Sequence, residues 1–120
     1  MKEERIHTLL DQVEKALCLC ASYLDGLSRD DFLKDNRTQQ AVAMNLIILG
    51  EAVSRLEARF PEFLARFPGM PWQSMRGMRN RIAHGYFELD MEIVFDTARM
   101  DLPELQKSLS ALRAAVDENN

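Results

Sequence analysis

The chain is poor in cysteine, glycine and proline: two, five and four in 120 residues. So few turn formers leave little punctuation for many short strands, which argues against an all-β architecture. Cys18 and Cys20 stand two apart on an expected helix, about 200° around its axis. A disulfide between them or a shared zinc is therefore ill placed, and they read as reduced thiols of a cytoplasmic protein. Long apolar runs are also missing. The longest, Leu46-Ile47-Ile48-Leu49, is far too short to span a bilayer, so no membrane role is expected. The opening Met1-Lys2-Glu3-Glu4-Arg5 leads directly into an amphipathic pattern and lacks the apolar core of a signal peptide. Surplus positive charge is absent as well, with a net charge of −4 and a pI of about 5.2. The global field does not attract nucleic acid, so any RNA contact must rest on a local basic patch or a seam between subunits. The acidic pair Asp30-Asp31 lacks the further ligands a metal site needs, and nothing calls for a cofactor.

What is present favours helices. Apolar residues make up 47% and charged residues 28%, the balance of a soluble globular chain, and the length fits one domain spanning 1–120. Leu9, Leu10, Val13, Ala16, Leu17, Cys20 and Leu24 recur at spacings of three and four, which predicts a helix from about Lys2 to Leu24 stopped by Gly26. Ser28 or Asp30 caps a short turn at Phe32. A second long helix runs from near Asn36 to about Phe60. Its apolar surface, widened by Leu46, Ile47 and Leu49, is broader than one stripe, so it is either central or covered by a second subunit. Gly50 within it costs about 1 kcal/mol relative to Ala and suggests close approach of another backbone. Pro61 to Pro68 reads as a short turn of helix, Pro71 as the first position of a third helix reaching about Ala83, and Gly85 as its left-handed stop. Asp90 caps a fourth helix, which Pro103 kinks or splits near Asp101-Leu102. The tail Asp117-Glu118-Asn119-Asn120 is polar and expected to fray. The fold class is thus all-α, an antiparallel bundle of four main helices.

The chemistry concentrates in Met75 to Tyr86. Arg76, Arg79 and Arg81 fall within six positions and make a cationic spot in an acidic chain. Arginine's planar fork of donors matches two phosphate oxygens. Metal-free RNA cleavage needs a base for the ribose 2′-hydroxyl, an acid for the departing 5′-oxygen and a cation for the phosphorane. His84 is the credible acid or base at neutral pH, since His7 sits in the opening turn. Arg79 and Arg76 are the natural charge stabilisers. Tyr86 is placed to position the phosphate or His84. One geometric difficulty stands: Arg79 and His84 are about 140° apart on an ideal helix. Either the helix ends by Gly85 so that His84 leaves its face, or two copies meet across a twofold axis and build a composite cleft. The second arrangement also supplies two histidines and doubles the local charge, so a homodimer is expected, with the face near Leu46 to Leu49 as a contributor.

Arg79-Asn80-Arg81-Ile82-Ala83-His84-Gly85-Tyr86 resembles the R-x4-H-x-Y signature of HEPN-domain proteins of the HepT toxin type. Gly50-Glu51-Ala52, Pro71-Trp72, Gly77-Met78-Arg79-Asn80 and Asp101-Leu102-Pro103 resemble the same family, so the likeness covers most of the chain. The resemblance implies a dimeric bundle of four or five helices with both motifs facing one cleft. It implies a metal-independent endoribonuclease acting on tRNA or mRNA, the toxin of a type II or type VII toxin–antitoxin pair. It carries the catalytic positions to Arg79 and His84 and the polar neighbour to Asn80. It makes Tyr86 the residue to which a cognate minimal nucleotidyltransferase antitoxin transfers AMP, adding bulk and negative charge at an anion-binding cleft.

Other readings compete. Arg79 and His84 also suit a structural network with Glu51 or Asp90. Arg76 and Arg81 suit solvent-facing ion pairs, and Glu51 suits support of Arg79 rather than proton donation. Trp72, Phe60, Phe63 and Phe67 read as packing residues, as do the methionines. A non-catalytic HEPN module holding a nucleotide or the nucleotidyltransferase is the alternative function, and a plain helical interaction protein is a third.

Overall fold

The computed structural model describes residues 2–118; Asn119 and Asn120, the end of the tail expected to fray, lie outside the described residues. Among the described residues every regular element is helical. Helix α1 spans Lys2–Leu24, and Gly26 follows it with φ 72°, the left-handed conformation that ends a helix without a Cβ clash. Helix α2, Arg29–Leu33, starts at Ser28, whose Oγ accepts from the Asp31 N–H at 3.1 Å. Helix α3, Asn36–Arg59, starts at Asp35, which accepts from the Thr38 N–H at 3.0 Å. Pro61 opens the short helix α4, Pro61–Ala65. Helix α5, Trp72–Gly85, runs directly into a 3-10 turn, Tyr86–Glu88. Asp90 caps α6, Met91–Asp96, as its sequence position predicts, accepting from the Glu92 N–H at 2.9 Å.

Two boundary expectations need correction. Pro71 is the cap of α5 rather than its first helical residue, and α5 continues to Gly85 rather than stopping near Ala83. Gly85 does not adopt the left-handed conformation; its φ is −154°, and the chain simply tightens into the 3-10 turn. The kink or split expected near Pro103 takes the form of a local π-turn within a run that is helical without a gap from Met91 to Glu118. Thr97–Asp101 is a π-turn, and Leu102–Glu118 forms α7. Pro103 thereby follows closely on the π-turn, whose wider hydrogen-bond register accommodates a residue without an N–H.

The long helices run antiparallel. Gly50 and Glu51 of α3 meet Arg79 of α5, while Glu57 further along α3 meets Arg76 earlier on α5. Helix α7 returns along α1: Arg99, just before it, donates to the Leu24 carbonyl at 3.1 Å, and Arg113 pairs with Asp11 and Glu14 at 2.6 Å each. Leu10, Val13, Leu17, Leu46, Leu56, Ile82 and Leu109 are fully enclosed between these helices. The Cys20 thiol lies in the same interior, and burial pushes its pKa up to about 12.

Helix α3 is the central element, packed on α1 and on α5. That accounts for its broad apolar surface. Leu46 and Leu49 are buried inside the protomer, Ile47 is half-buried, and Met44 and Ile48 face solvent at 54% and 37% exposure. Of the face expected to contribute to a subunit contact, Leu46 and Leu49 are thus taken up within the protomer, while Ile48 stays exposed. Trp72 and Phe63 are buried as packing residues, with Trp72 Nε1 donating to the Phe67 carbonyl at 3.1 Å. Among the described residues no helix is long and apolar enough to cross a membrane.

Candidate functional site around helix α5

The site begins with a missing side chain. A Cβ on Gly50 would lie 2.2 Å from Cβ of Arg79 and 3.0 Å from the Met75 carbonyl oxygen. Only glycine lets α5 come this close, and the approach sets the depth at which Arg79 enters the α3 surface. The next residue, Glu51, then meets Arg79: Oε1 lies 2.5 Å from Nη2. On the other side Arg79 Nη1 donates to Asn80 Oδ1 at 3.0 Å. The guanidinium is clamped between a carboxylate and an amide, and the Arg79 side chain as a whole is only partly buried, at 30% exposure.

Arg76 shares the α3-facing side with Arg79 and pairs with Glu57. Nε of both arginines is buried without a hydrogen-bond partner among the described residues. The three-arginine cluster is therefore not uniformly cationic. Two members are matched by carboxylates of α3, while Arg81 is exposed and has no such partner among the described residues.

His84 occupies the last turn of α5, exposed, with no hydrogen bond or ion pair among the described residues. The helix is continuous through this residue, so His84 does not swing off its face. Arg79 is turned to α3, and His84 lies about 140° further around the same helix. The structure brings Arg79, Asn80 and Glu51 together, and joins His84 to none of them within one protomer.

The segment after His84 is also shaped by glycine. A Cβ on Gly85 would fall 2.8 Å from Oε2 of Glu88, whose carboxylate folds back over the end of α5. Tyr86 is half-buried against the core, and its ring meets Phe87 edge-on at 5.8 Å with an interplanar angle of 75°. Phe87 itself is 98% exposed. Sequence reasoning passed over Glu88 and Phe87. The available signal was an aromatic directly after the motif, where the three-and-four spacing of α5 has ended.

A groove of about 380 Å³ lies beside the outer face of α5, between it, the π-turn and α7. Leu46, Leu49, Met78 and Leu105 line it, with Arg81 and Asp101 also on its walls. Segments far apart in the chain thus converge on α5: Gly50-Glu51 on one side, Asp101-Leu102 on the other. Among the described residues no cluster of three or more His, Cys, Asp or Glu side chains is placed to hold a metal ion.

Comparison with known proteins places the chain among ribonuclease-like sequences. The sequence profile described as "Ribonuclease HepT-like" matches residues 13–112. A protein of Thermococcus cleftensis named "probable ribonuclease HepT" is 32% identical over 104 residues, covering 87% of this chain and 92% of the relative. A candidate RNase of Methanocaldococcus jannaschii is 32% identical over 101 residues, 82% of this chain and 81% of the relative. A candidate RNase of Caldanaerobacter subterraneus subsp. tengcongensis is 34% identical over 87 residues, 72% of this chain and 75% of the relative. No solved structure gives a significant match.

Proposed function

The chain belongs to the HepT-like ribonuclease family, and on that premise we propose that it is a metal-independent endoribonuclease whose cleft is completed by a second copy of itself. The observation that carries this reading is the split of the motif over one continuous helix. Arg79 is clamped toward α3 by Glu51 and Asn80, whereas His84 is exposed and has no partner among the described residues. A guanidinium and an imidazole so divided converge on one phosphate when Arg79 comes from one protomer and His84 from its partner.

In such a cleft imidazole takes the proton of the ribose 2′-hydroxyl, and the 2′-oxygen attacks phosphorus. The bond from phosphorus to the 5′-oxygen breaks, and that oxygen takes the proton back from the imidazolium. The products carry a 2′,3′-cyclic phosphate and a 5′-hydroxyl. Arg79 stabilises the charge that grows on the phosphorane oxygens. Glu51 and Asn80 hold the guanidinium at the required angle. Arg81, exposed and without an ion-pair partner among the described residues, supplies attraction for the RNA backbone, as does Arg76 to the extent that Glu57 leaves it free.

Mixing tests the composite cleft. Arg79→Ala and His84→Ala homodimers are each expected to leave RNA uncut in EDTA. Subunit exchange between them makes half the dimers mixed, each with one intact Arg–His pair, so about a quarter of wild-type activity returns. A mixture as inactive as its parents overturns the shared cleft. A wild-type chain that leaves RNA intact overturns the nuclease.

The toxin role and its control belong to the same proposal. The partner is a minimal nucleotidyltransferase antitoxin that transfers AMP to the Tyr86 hydroxyl, two residues beyond His84. The added phosphate and nucleoside repel and obstruct RNA at the cleft. Intact mass after co-expression with that partner reads the added AMP directly, and Tyr86→Phe should abolish it.

One observation favours a second reading. Glu57 and Glu51 neutralise two of the three arginines, which suits a non-catalytic module that binds a nucleotide or the nucleotidyltransferase. Binding lost in Arg79→Ala without any turnover by the wild type distinguishes it.

A further inference from the structure

Phe87 is 98% exposed. Phe32, Phe60, Phe63, Trp72 and Phe95 are buried, and Phe67 and Tyr86 pack against the core. Phe87 alone among the phenylalanines forgoes the burial such a ring ordinarily gains. The backbone that carries it is nevertheless held in a regular turn. The 3-10 turn Tyr86–Glu88 is closed by the Leu89 N–H donating to the Tyr86 carbonyl at 3.1 Å, and the Tyr86 ring abuts it edge-on. The turn follows α5 without a break, so this ring is carried three residues past the exposed His84.

We propose that Phe87 is a stacking platform for a nucleobase of single-stranded RNA beside the phosphodiester that Arg79 and His84 address. The proposal rests on the nuclease reading. In-line attack by a 2′-oxygen requires the two nucleotides at the scissile bond to leave helical geometry, and a base drawn onto an aromatic ring holds them apart. A ring set between half-buried Tyr86 and exposed, charged Glu88, three residues past exposed His84, suits that task better than a protein contact, which is built around a continuous apolar centre. Every base has a π-face, so this platform selects unpaired strand rather than sequence.

The test uses the full chain and a single-stranded 2′-O-methyl oligonucleotide, which binds without being cut, with 2-aminopurine scanned along it. Phe87→Ala and Phe87→Leu are expected to bind about tenfold more weakly, the size of one lost base–aromatic stack. Both should lose the quenching of one aminopurine position, while Phe87→Trp keeps binding and quenching. Leucine binding as well as phenylalanine overturns the proposal, because bulk without a ring would suffice. Unchanged binding in Phe87→Ala overturns it too. A halved sedimentation mass in Phe87→Ala assigns the ring to a second copy and equally overturns it. Cleavage of the matching 2′-hydroxyl RNA, wild type against His84→Ala, is read in parallel. Cleavage with unaltered binding in Phe87→Ala removes the platform alone; quenching lost in Phe87→Ala without any wild-type cleavage removes the nuclease reading alone.

Discussion

Gly50 and Arg79 divide one space: the glycine leaves out the side chain whose first carbon would lie 2.2 Å from Cβ of the arginine. Arg79 Cβ is fixed to the α5 backbone and cannot rotate away. Gly50→Ala must therefore move a helix. Better helix propensity returns about 1 kcal/mol, while overpacking costs about 1–3 kcal/mol. Net destabilisation is expected, with a fall of several degrees in Tm. Activity should drop further than stability accounts for, because Glu51 no longer reaches Arg79. A Gly50→Ala chain as active as wild type at a temperature where both are folded would contradict this.

Glu51 separates support from chemistry. The ion pair with Arg79 is partly exposed, so its loss should cost about 1 kcal/mol or less in stability. Glu51→Gln keeps a hydrogen-bond acceptor and should retain part of the activity, whereas Glu51→Ala frees the guanidinium and should reduce kcat with little change in KM. The pH profile should keep its shape in both variants, since Glu51 transfers no proton. A shifted profile would make Glu51 a proton carrier instead.

Cys20 makes stability depend on alkaline pH. The folded thiol is held up to about 12 by burial, against 9.0 for the free group. Below pH 9 both folded and unfolded chains keep the proton and Cys20 adds no slope. Above it the unfolded chain loses the proton while the folded chain retains it, so stability falls until the folded thiol also ionises near pH 12. Urea unfolding of wild type and Cys20→Ala across this window should show a steeper decline in the wild type. In the native protein a thiol reagent should modify the exposed Cys18 and leave Cys20 untouched.

Apolar spacing of three and four made α1 and α3 readable almost to the residue, and Asp90 was legible as a cap because its chemistry is local. Gly50 and Glu51 were legible as a pair, since a glycine amid a strong helix former invites close approach and the adjacent acid is then within reach of a cation. The π-turn was not. It depends on tertiary context, with Arg99 donating to the Leu24 and Leu27 carbonyls and Pro103 beginning the next helix, and no single residue type announces it. The division of Leu46 to Leu49 between core and surface was likewise illegible, because a broad apolar face has the same appearance whether it meets the chain's own helices or another copy. Exposure of Phe87 follows from where α5 tightens into the 3-10 turn, and terminal hydrogen-bond choices lie below the resolution of any periodicity.

Helix α5 rests chiefly on α3, with an open groove along its other flank. A helix held from one side can detach while the remaining bundle stays closed. Its amides should therefore exchange with deuterium sooner than those of α1 and α3, through local opening rather than global unfolding. Whatever seats itself along that flank would slow this exchange, so α5 would register occupancy as a gain in rigidity.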